Sequence, residues 1–341
     1  MIKNLKLKNF TVFKNVRFTF GRTLNVIIGE NGAGKSHVLK VLYAANTAVL
    51  GEQVNHVAAR IRQSLHKVFM AVDADLITRS NCKSASSGTL EIATDTTATP
   101  ISFTLDHDAI PEEAVYDTNT MHTVFIPAKE LLSIYPNFIV LWKKYDLSYD
   151  RTFYDTIMAL SMPSLKTIPV IHDEIIGELE SAIGAKVYLS KDTKRFVYQA
   201  KGDDKETDIN LAAEGWCRLG MLMQLLRNGS IEKGGHLFWD EPEANLNPRL
   251  VKLVAKAIFA LGKAGVQVFV TTHSLFLLRE LEMLRSADKN IKQGDVRFFN
   301  LSGKGKVEQG DSPEELGNIL FLDESVLQSQ RYLDQESRHD R

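Results

Sequence analysis

Short, mainly apolar runs that end in glycine or acid recur along the chain, and they predict strands of a buried parallel sheet. Val26-Ile27-Ile28 stops at Gly29, His236-Leu237-Phe238-Trp239 at Asp240, and Val266-Gln267-Val268-Phe269-Val270 at Thr271-Thr272-His273-Ser274. Thr123-Val124-Phe125-Ile126 and Val296-Arg297-Phe298-Phe299-Asn300-Leu301 read as two further strands. Helical spacing follows the first run, where Val38, Leu39, Val41 and Leu42 share one side, and recurs at Met221, Leu222, Leu225 and Leu226. Strict alternation marks Thr89–Ala93 and Ile101–Leu105 as a hairpin across a Thr-rich turn, and 186–199 as another around Lys191-Asp192-Thr193. The stretch 131–184 reads as mostly helical. Within it His172-Asp173-Glu174 precedes Ile175, Ile176 and Leu179, so it reads as a helix start whose acids suit the dipole, not as a metal triad. Asp106-His107-Asp108 reads as a turn. Near the end a short hairpin, a helix starting near Ser312-Pro313-Glu314-Glu315 and a polar tail are expected. Sustained heptads are absent from the sequence, so no long coiled-coil arm is predicted.

The first strand opens into Gly29-Glu30-Asn31-Gly32-Ala33-Gly34-Lys35-Ser36, the G-x-x-x-x-G-K-S pattern in its strand-loop-helix context. Gly32 and Gly34 free the backbone to turn successive N–H groups onto a phosphate. Lys35 reaches the β- and γ-phosphates, the Ser36 hydroxyl is placed for Mg²⁺, and the helix beginning through His37 aims its positive end at the same anion. The chain therefore reads as a nucleotide triphosphatase that holds Mg²⁺ at Ser36. Asp240 and Glu241 close a strand where parallel sheets place their ligand chemistry. Adjacent carboxylates divide the work there: Asp240 holds the metal shell, and Glu241 faces the attacking water as general base. His273 arrives 33 positions after Asp240, at the end of the next strand, and is read as a sensor of the γ-phosphate.

Composition narrows the class. At 341 residues and 44% apolar content the chain is long enough for a sheet plus an accessory lobe. No apolar run approaches the roughly 18 residues of a membrane span, so a cytoplasmic protein without a membrane partner is expected. Cys82 and Cys217 stand far apart, which argues against zinc and against a disulfide framework. The net charge of −1 hides a bias, since residues 1–70 carry 11 Lys and Arg against 2 Asp and Glu. That basic face could meet DNA or RNA phosphates, or Lys3, Lys6 and Lys8 could be the wet face and edge of the first strand. Asp240 lies 204 positions after Ser36, far beyond a plain crossover, so at least one lobe is inserted between them.

One more segment joins the pattern. Asn210-Leu211-Ala212-Ala213-Glu214-Gly215 is a small-residue turn leading into the helix that carries Met221. The ordered set of P-loop, Ala213-Glu214-Gly215, Asp240-Glu241-Pro242-Glu243, Asn245-Leu246-Asn247-Pro248 and Thr272-His273-Ser274 resembles the ABC-type ATPase head of the RecF, SMC and OLD group. The opening Met1–Phe10 is similar to the first strand of those heads. The resemblance covers about the first 50 residues and 205–300, and its motifs specify fold more than biology. It implies an α/β P-loop NTPase of ABC-ATPase type, with a flanking β subdomain and an inserted, mainly helical lobe. The expected divisions are 1–130 with 205–310 for the ATPase domain, 131–204 for the lobe with its hairpin, and 311–341 for a helical tail.

The resemblance further implies a homodimer or higher even oligomer that sandwiches two ATPs head-to-tail, with Ala213, Glu214 and Gly215 touching the γ-phosphate held by the partner copy. The segment 243–248 would cross that interface, although Asn247-Pro248 also reads as an N-cap with proline at the first helical position. Two departures stand out. Ala212-Ala213-Glu214-Gly215 lacks the serine of the family signature, and no glutamine follows the middle strand, where Lys129 or Glu130 is the nearest candidate or else a solvated helix start. OLD-type relatives continue into a Toprim nuclease module, which the 68 positions after His273 are not expected to hold. The expected function is an ATPase head that controls a separate nuclease or toxin-like effector, as stand-alone relatives in bacterial antiphage defence do. The alternatives are a DNA-repair or chromosome-maintenance ATPase resembling RecF and SMC, and a slow-turnover ATP-bound scaffold.

Overall fold

A computed structural model describes residues 1–49, 57–71, 76, 87–95, 101–105, 123–145, 147–303 and 305–339. Asp106-His107-Asp108 and Cys82 lie outside them. The chain opens with β1 (Ile2–Phe10), β2 (Phe13–Thr19), β3 (Leu24–Gly29), α1 (Lys35–Val49), α2 (Val57–Phe69), β4 (Thr89–Thr94), β5 (Ile101–Thr104) and β6 (Thr123–Ile126). Helices α3 (Tyr135–Lys144), α4 (Arg151–Leu160) and α5 (Val170–Ile183) then precede β7 (Ala185–Leu189), β8 (Phe196–Ala200) and β9 (Thr207–Asp208). The remainder is α6 (Glu214–Arg227), β10 (His236–Asp240), α7 (Pro248–Lys263), β11 (Gln267–Thr272), α8 (Leu275–Ala287), β12 (Val296–Leu301), β13 (Val307–Gly310) and α9 (Leu320–His339).

The central sheet runs β13-β12-β3-β11-β10-β6 and is parallel except for β13. Every residue of β3, β10 and β11 is buried, as their apolar runs require of strands covered on both faces. The two-residue period splits the side chains between two cores. Val26, Ile28, Leu237, Trp239, Val268 and Val270 face the core shared with α5, α6 and α7. Ile27, Phe125, Phe238, Phe269 and Phe299 face the core shared with α1, α2 and the second sheet. There Phe238 stacks on Phe269 at 4.9 Å, and Phe20 meets Phe269 edge-on at 5.2 Å.

That second sheet is antiparallel, in the order β2-β1-β4-β5. It contains the expected hairpin, with Leu90 opposite Phe103 and Ile92 opposite Ile101. A buried amide fastens it to the parallel sheet: Gln267 Oε1 accepts from the Ile2 N–H at 2.7 Å, and Gln267 Nε2 donates to the Ile2 and Gly21 carbonyls at 2.8 Å each. The hairpin expected at 186–199 is β7-β8, extended by β9 to a three-stranded sheet.

Helices α3 to α5 fill the predicted helical stretch, and they are tied to the P-loop helix by side chains. Lys40 Nζ donates to Asp150 Oδ2 at 2.7 Å and Tyr43 Oη to Asp155 Oδ2 at 2.9 Å. Asp150 also caps α4, accepting from the Thr152 N–H at 2.8 Å. One expectation fails near the end of the chain. Pro313–Glu315 is only a 3₁₀ turn, Ser312 makes no cap bond, and the helix starts at Leu320. Glu315 reaches back to accept from the Asp311 N–H at 3.0 Å, and Leu316, extended, ends the turn. Among the described residues no helix is long and apolar enough to cross a membrane.

Candidate nucleotide site

The P-loop lies between β3 and α1, and its glycines are dictated by geometry. Gly34 has φ +95°, and a Cβ there would sit 2.6 Å from Val12 Cγ2 and 2.7 Å from Phe13 Cζ. Gly32 has φ +78° with open space around it, so its need is conformational alone. Glu30, Asn31 and Gly32 are exposed, whereas Gly29, Ala33, Gly34 and Lys35 are buried. Lys35 Nζ folds back onto the loop, donating to the Gly29 carbonyl at 2.9 Å and the Glu30 carbonyl at 3.0 Å. Burial pushes its pKa below the ordinary lysine value, against the pull of the Glu241, Asp240 and Glu243 carboxylates. The His37 ring turns away onto Phe69, 5.5 Å between centroids, and burial lowers its pKa. That leaves the backbone of His37 to the loop, among the first N–H groups of α1 that have no intrahelical acceptor.

The acidic strand end meets this loop. Ser36 Oγ donates to Asp240 Oδ1 at 3.1 Å, and Thr271 Oγ1 donates to the same oxygen. Hard oxygens from Ser36 and Asp240, side by side beneath Lys35, are a donor set suited to Mg²⁺, which takes one or two protein ligands and keeps its waters. Glu241 follows in the left-handed region at φ +49°, its N–H held by the Thr271 carbonyl at 3.1 Å and the Thr271 hydroxyl at 3.2 Å. Its carboxylate lies 3.3 Å from His273 Nδ1. The sheet order explains that contact, because β11 lies between β3 and β10 and delivers His273 beside both.

Glu243 is 8% exposed, accepts from Thr272 Oγ1 at 2.5 Å, and has its pKa raised by burial. The signature segment sits against the same stretch of its own chain. Glu214 Oε1 accepts from Asn245 Nδ2 at 2.5 Å, and a Cβ on Gly215 would be 2.9 Å from both the Asn245 carbonyl oxygen and Leu246 Cδ2. Ala213 and Glu214 are exposed, and Ala213 gives α6 no side-chain cap. Leu211 is 74% exposed and Phe276, three residues past His273, 41%. Asn247 caps α7 by accepting from the Leu250 N–H at 3.1 Å, with Pro248 at the first helical position as expected. Lys129 is exposed, while Glu130 accepts from Ser133, the hydroxyl and the N–H both donating.

Sequence reasoning placed Glu243 only in the segment expected to cross an interface, and it did not assign Thr271 or Arg218, which is 4% exposed and donates from a terminal guanidinium nitrogen to the Glu241 carbonyl at 3.3 Å. Their only signal is polarity at the end of an apolar strand or within an apolar helix. Among the described residues no cluster of three or more His, Cys, Asp or Glu side chains is placed to hold a metal ion.

Comparison with known proteins agrees with this geometry. Residues 84–279, more than half of the chain, match the family model described as "AAA domain, putative AbiEii toxin, Type IV TA system", and residues 4–153 match a second AAA-domain model. A Helicobacter pylori (strain ATCC 700392 / 26695) protein named ATP/GTP phosphatase is 46% identical over 43 residues, which are 13% of this chain and 12% of that protein. The match thus spans about an eighth of the relative's length. The crystal structure of an SMC head bound to the C-terminal winged-helix domain of ScpA superposes with a TM-score of 0.52 at 16% identity, covering 90% of this chain and 97% of that one. The recombination mediator RecF aligns with a TM-score of 0.46 at 12% identity, over 91% of this chain and 98% of its own. The chain belongs to this AAA-domain family, and its fold is that of an SMC ATPase head.

Proposed function

We propose that the protein binds and hydrolyses ATP, closes head-to-tail with a second copy around two nucleotides, and through that cycle controls a separate effector in bacterial antiphage defence. The observation that carries the reading is the meeting of three pairs at one end of the sheet: Lys35 on the P-loop carbonyls, Ser36 on Asp240, and His273 on Glu241. In it, γ-phosphate oxygens replace the two carbonyls that now hold Lys35. Water attacks the γ-phosphorus, Glu241 takes the proton, and the bond to the β-phosphate oxygen breaks with ADP leaving. Lys35 and His273 donate to the oxygens on which charge gathers. Ser36 and Asp240 would hold Mg²⁺, which supplies charge neutralisation on the phosphates. The exposed Ala213, Glu214, Leu211 and Phe276 suit a face that a second copy covers. Replacing Glu241→Gln keeps the shape and removes the base. ATP binding and the ATP-driven dimer should persist, measured by light scattering, while phosphate release stops. Wild-type turnover by E241Q would refute the assignment.

A second reading, an ATP-gated clamp on nucleic acid, is favoured by one observation. Lys3, Lys8, Lys14 and Arg17 are exposed on β1 and β2, and among the described residues Lys6 of that strand pair is held by a neighbouring acid, Glu91 at 2.8 Å. Duplex DNA binding that needs ATP and falls steeply with salt would favour the clamp.

A further inference from the structure

Glu241 combines a demanding chemical role with a backbone that a glutamate rarely adopts. At φ +49° its conformation persists only if neighbouring groups fix the peptide on both sides. The N–H side is fixed by Thr271, through both its carbonyl and its hydroxyl. On the other side the Glu241 carbonyl accepts from the Ala244 N–H at 3.1 Å, within its own turn, and from Arg218 at 3.3 Å. Arg218 is the contact that ties that carbonyl to a different element.

Its position in α6 gives that contact a second meaning. Glu214, Gly215 and Arg218 occupy the first turn and the start of the second, and all three bear on residues 241–246. Glu214 holds Asn245, Gly215 admits the Asn245 carbonyl and Leu246, and Arg218 holds Glu241. Burial lowers the pKa of the Arg218 guanidinium, against the pull of the Glu214, Glu241, Glu243 and Glu130 carboxylates, and an arginine stays charged there. One terminal nitrogen makes the bond to Glu241, and Nε is buried without a partner among the described residues.

We infer that Arg218 is a positioning residue for hydrolysis: it clamps the Glu241 carbonyl to the signature helix, so that the helix end that meets the partner's nucleotide also sets the angle of the general base in its own chain. The inference rests on Glu241 being that base. It assigns to Arg218 no contact with ATP, and it separates the residue's effect on turnover from any effect on binding.

Arg218→Lys keeps the charge and shifts the reach and direction of the donor that meets the Glu241 carbonyl. The expected result is a fall in kcat of about tenfold, the population lost when a left-handed peptide is released. The Kd for a fluorescent ATP analogue and the melting temperature should stay near those of the wild type. Free guanidinium added to R218A should restore part of the lost rate; if R218A does not fold, the R218K result decides alone. Unchanged kcat in R218K, or a loss that appears equally in Kd, overturns the inference. An E241Q protein that still turns over ATP would instead overturn the base assignment, whatever R218K does.

Discussion

Lowering the pH should destabilise this protein through a histidine far from any chemistry. His236 opens β10, is 2% exposed, and has its pKa pushed down to about 3, first by burial and then by the nearby N-terminal amine, with Asp95 and Gln267 opposing. Its Nδ1 meets Asn46 Nδ2 at 3.1 Å, so the neutral ring accepts there, and its Nε2 is buried without a partner among the described residues. The sign follows from the shift. A base whose pKa is lower in the folded state leaves stability intact above the unfolded value of about 6.5 and loses it progressively between 6.5 and about 3. Between pH 7.5 and pH 5 the unfolded chain gains a proton that the folded chain refuses, a loss of about 2 kcal/mol over roughly 1.5 pH units. Against a typical stability of about 5–15 kcal/mol that is a measurable share. The assay is urea unfolding of the wild type and His236→Gln across that range, taking the difference so that other titrating groups cancel. H236Q should be less stable at pH 7.5 yet show a shallower acid slope. Equal slopes in the two proteins would refute the reasoning.

Two further substitutions probe the frame around the site. Gly34→Ala meets both a positive φ and a Cβ within 2.7 Å of Val12 and Phe13, so it should cost about 2–4 kcal/mol in urea unfolding and abolish nucleotide binding. A stable G34A that binds ATP normally would contradict the loop geometry. Asp150→Ala removes the cap of α4 and the partner of Lys40 together, and should cost about 2 kcal/mol, whereas Lys40→Ala keeps the cap, loses the ion pair and the ammonium 5.8 Å from the Phe69 ring centre, and should cost about half as much. Equal losses would mean that the cap contributes nothing.

What the sequence conveyed depended on how local each signal was. The P-loop was legible because its glycine spacing and the apolar run before it describe one continuous turn of chain. Both hairpins were legible from alternation. The strand order was not: nothing local to Val266–Val270 says that this strand separates β3 from β10. The bond between Gln267 and Ile2 joins residues 265 positions apart, and a buried glutamine in an apolar run gives no hint of its acceptor. The start of α9 was misplaced for the opposite reason, since Ser312-Pro313-Glu314-Glu315 has the composition of a capped helix, while Glu315 bonds the Asp311 N–H and the Gly317 N–H just beyond goes to Glu308, so the segment stops at a 3₁₀ turn. Arg218 escaped notice because an arginine on a helix is ordinarily a solvated one, and only folding sets the Glu241 carbonyl in front of it.

The placement of β11 between the strand that leads into the P-loop and the acidic strand fixes the distance between the two strand ends. From Ile27 through Thr271 to Asp240 the gap is two inter-strand spacings, about 10 Å, measured by backbone ladders and not by side-chain packing. Substitutions that reshape either apolar layer leave that ruler untouched. Lineages can therefore drift far apart in their interiors and still present a triphosphate with the same span between cradle and acid.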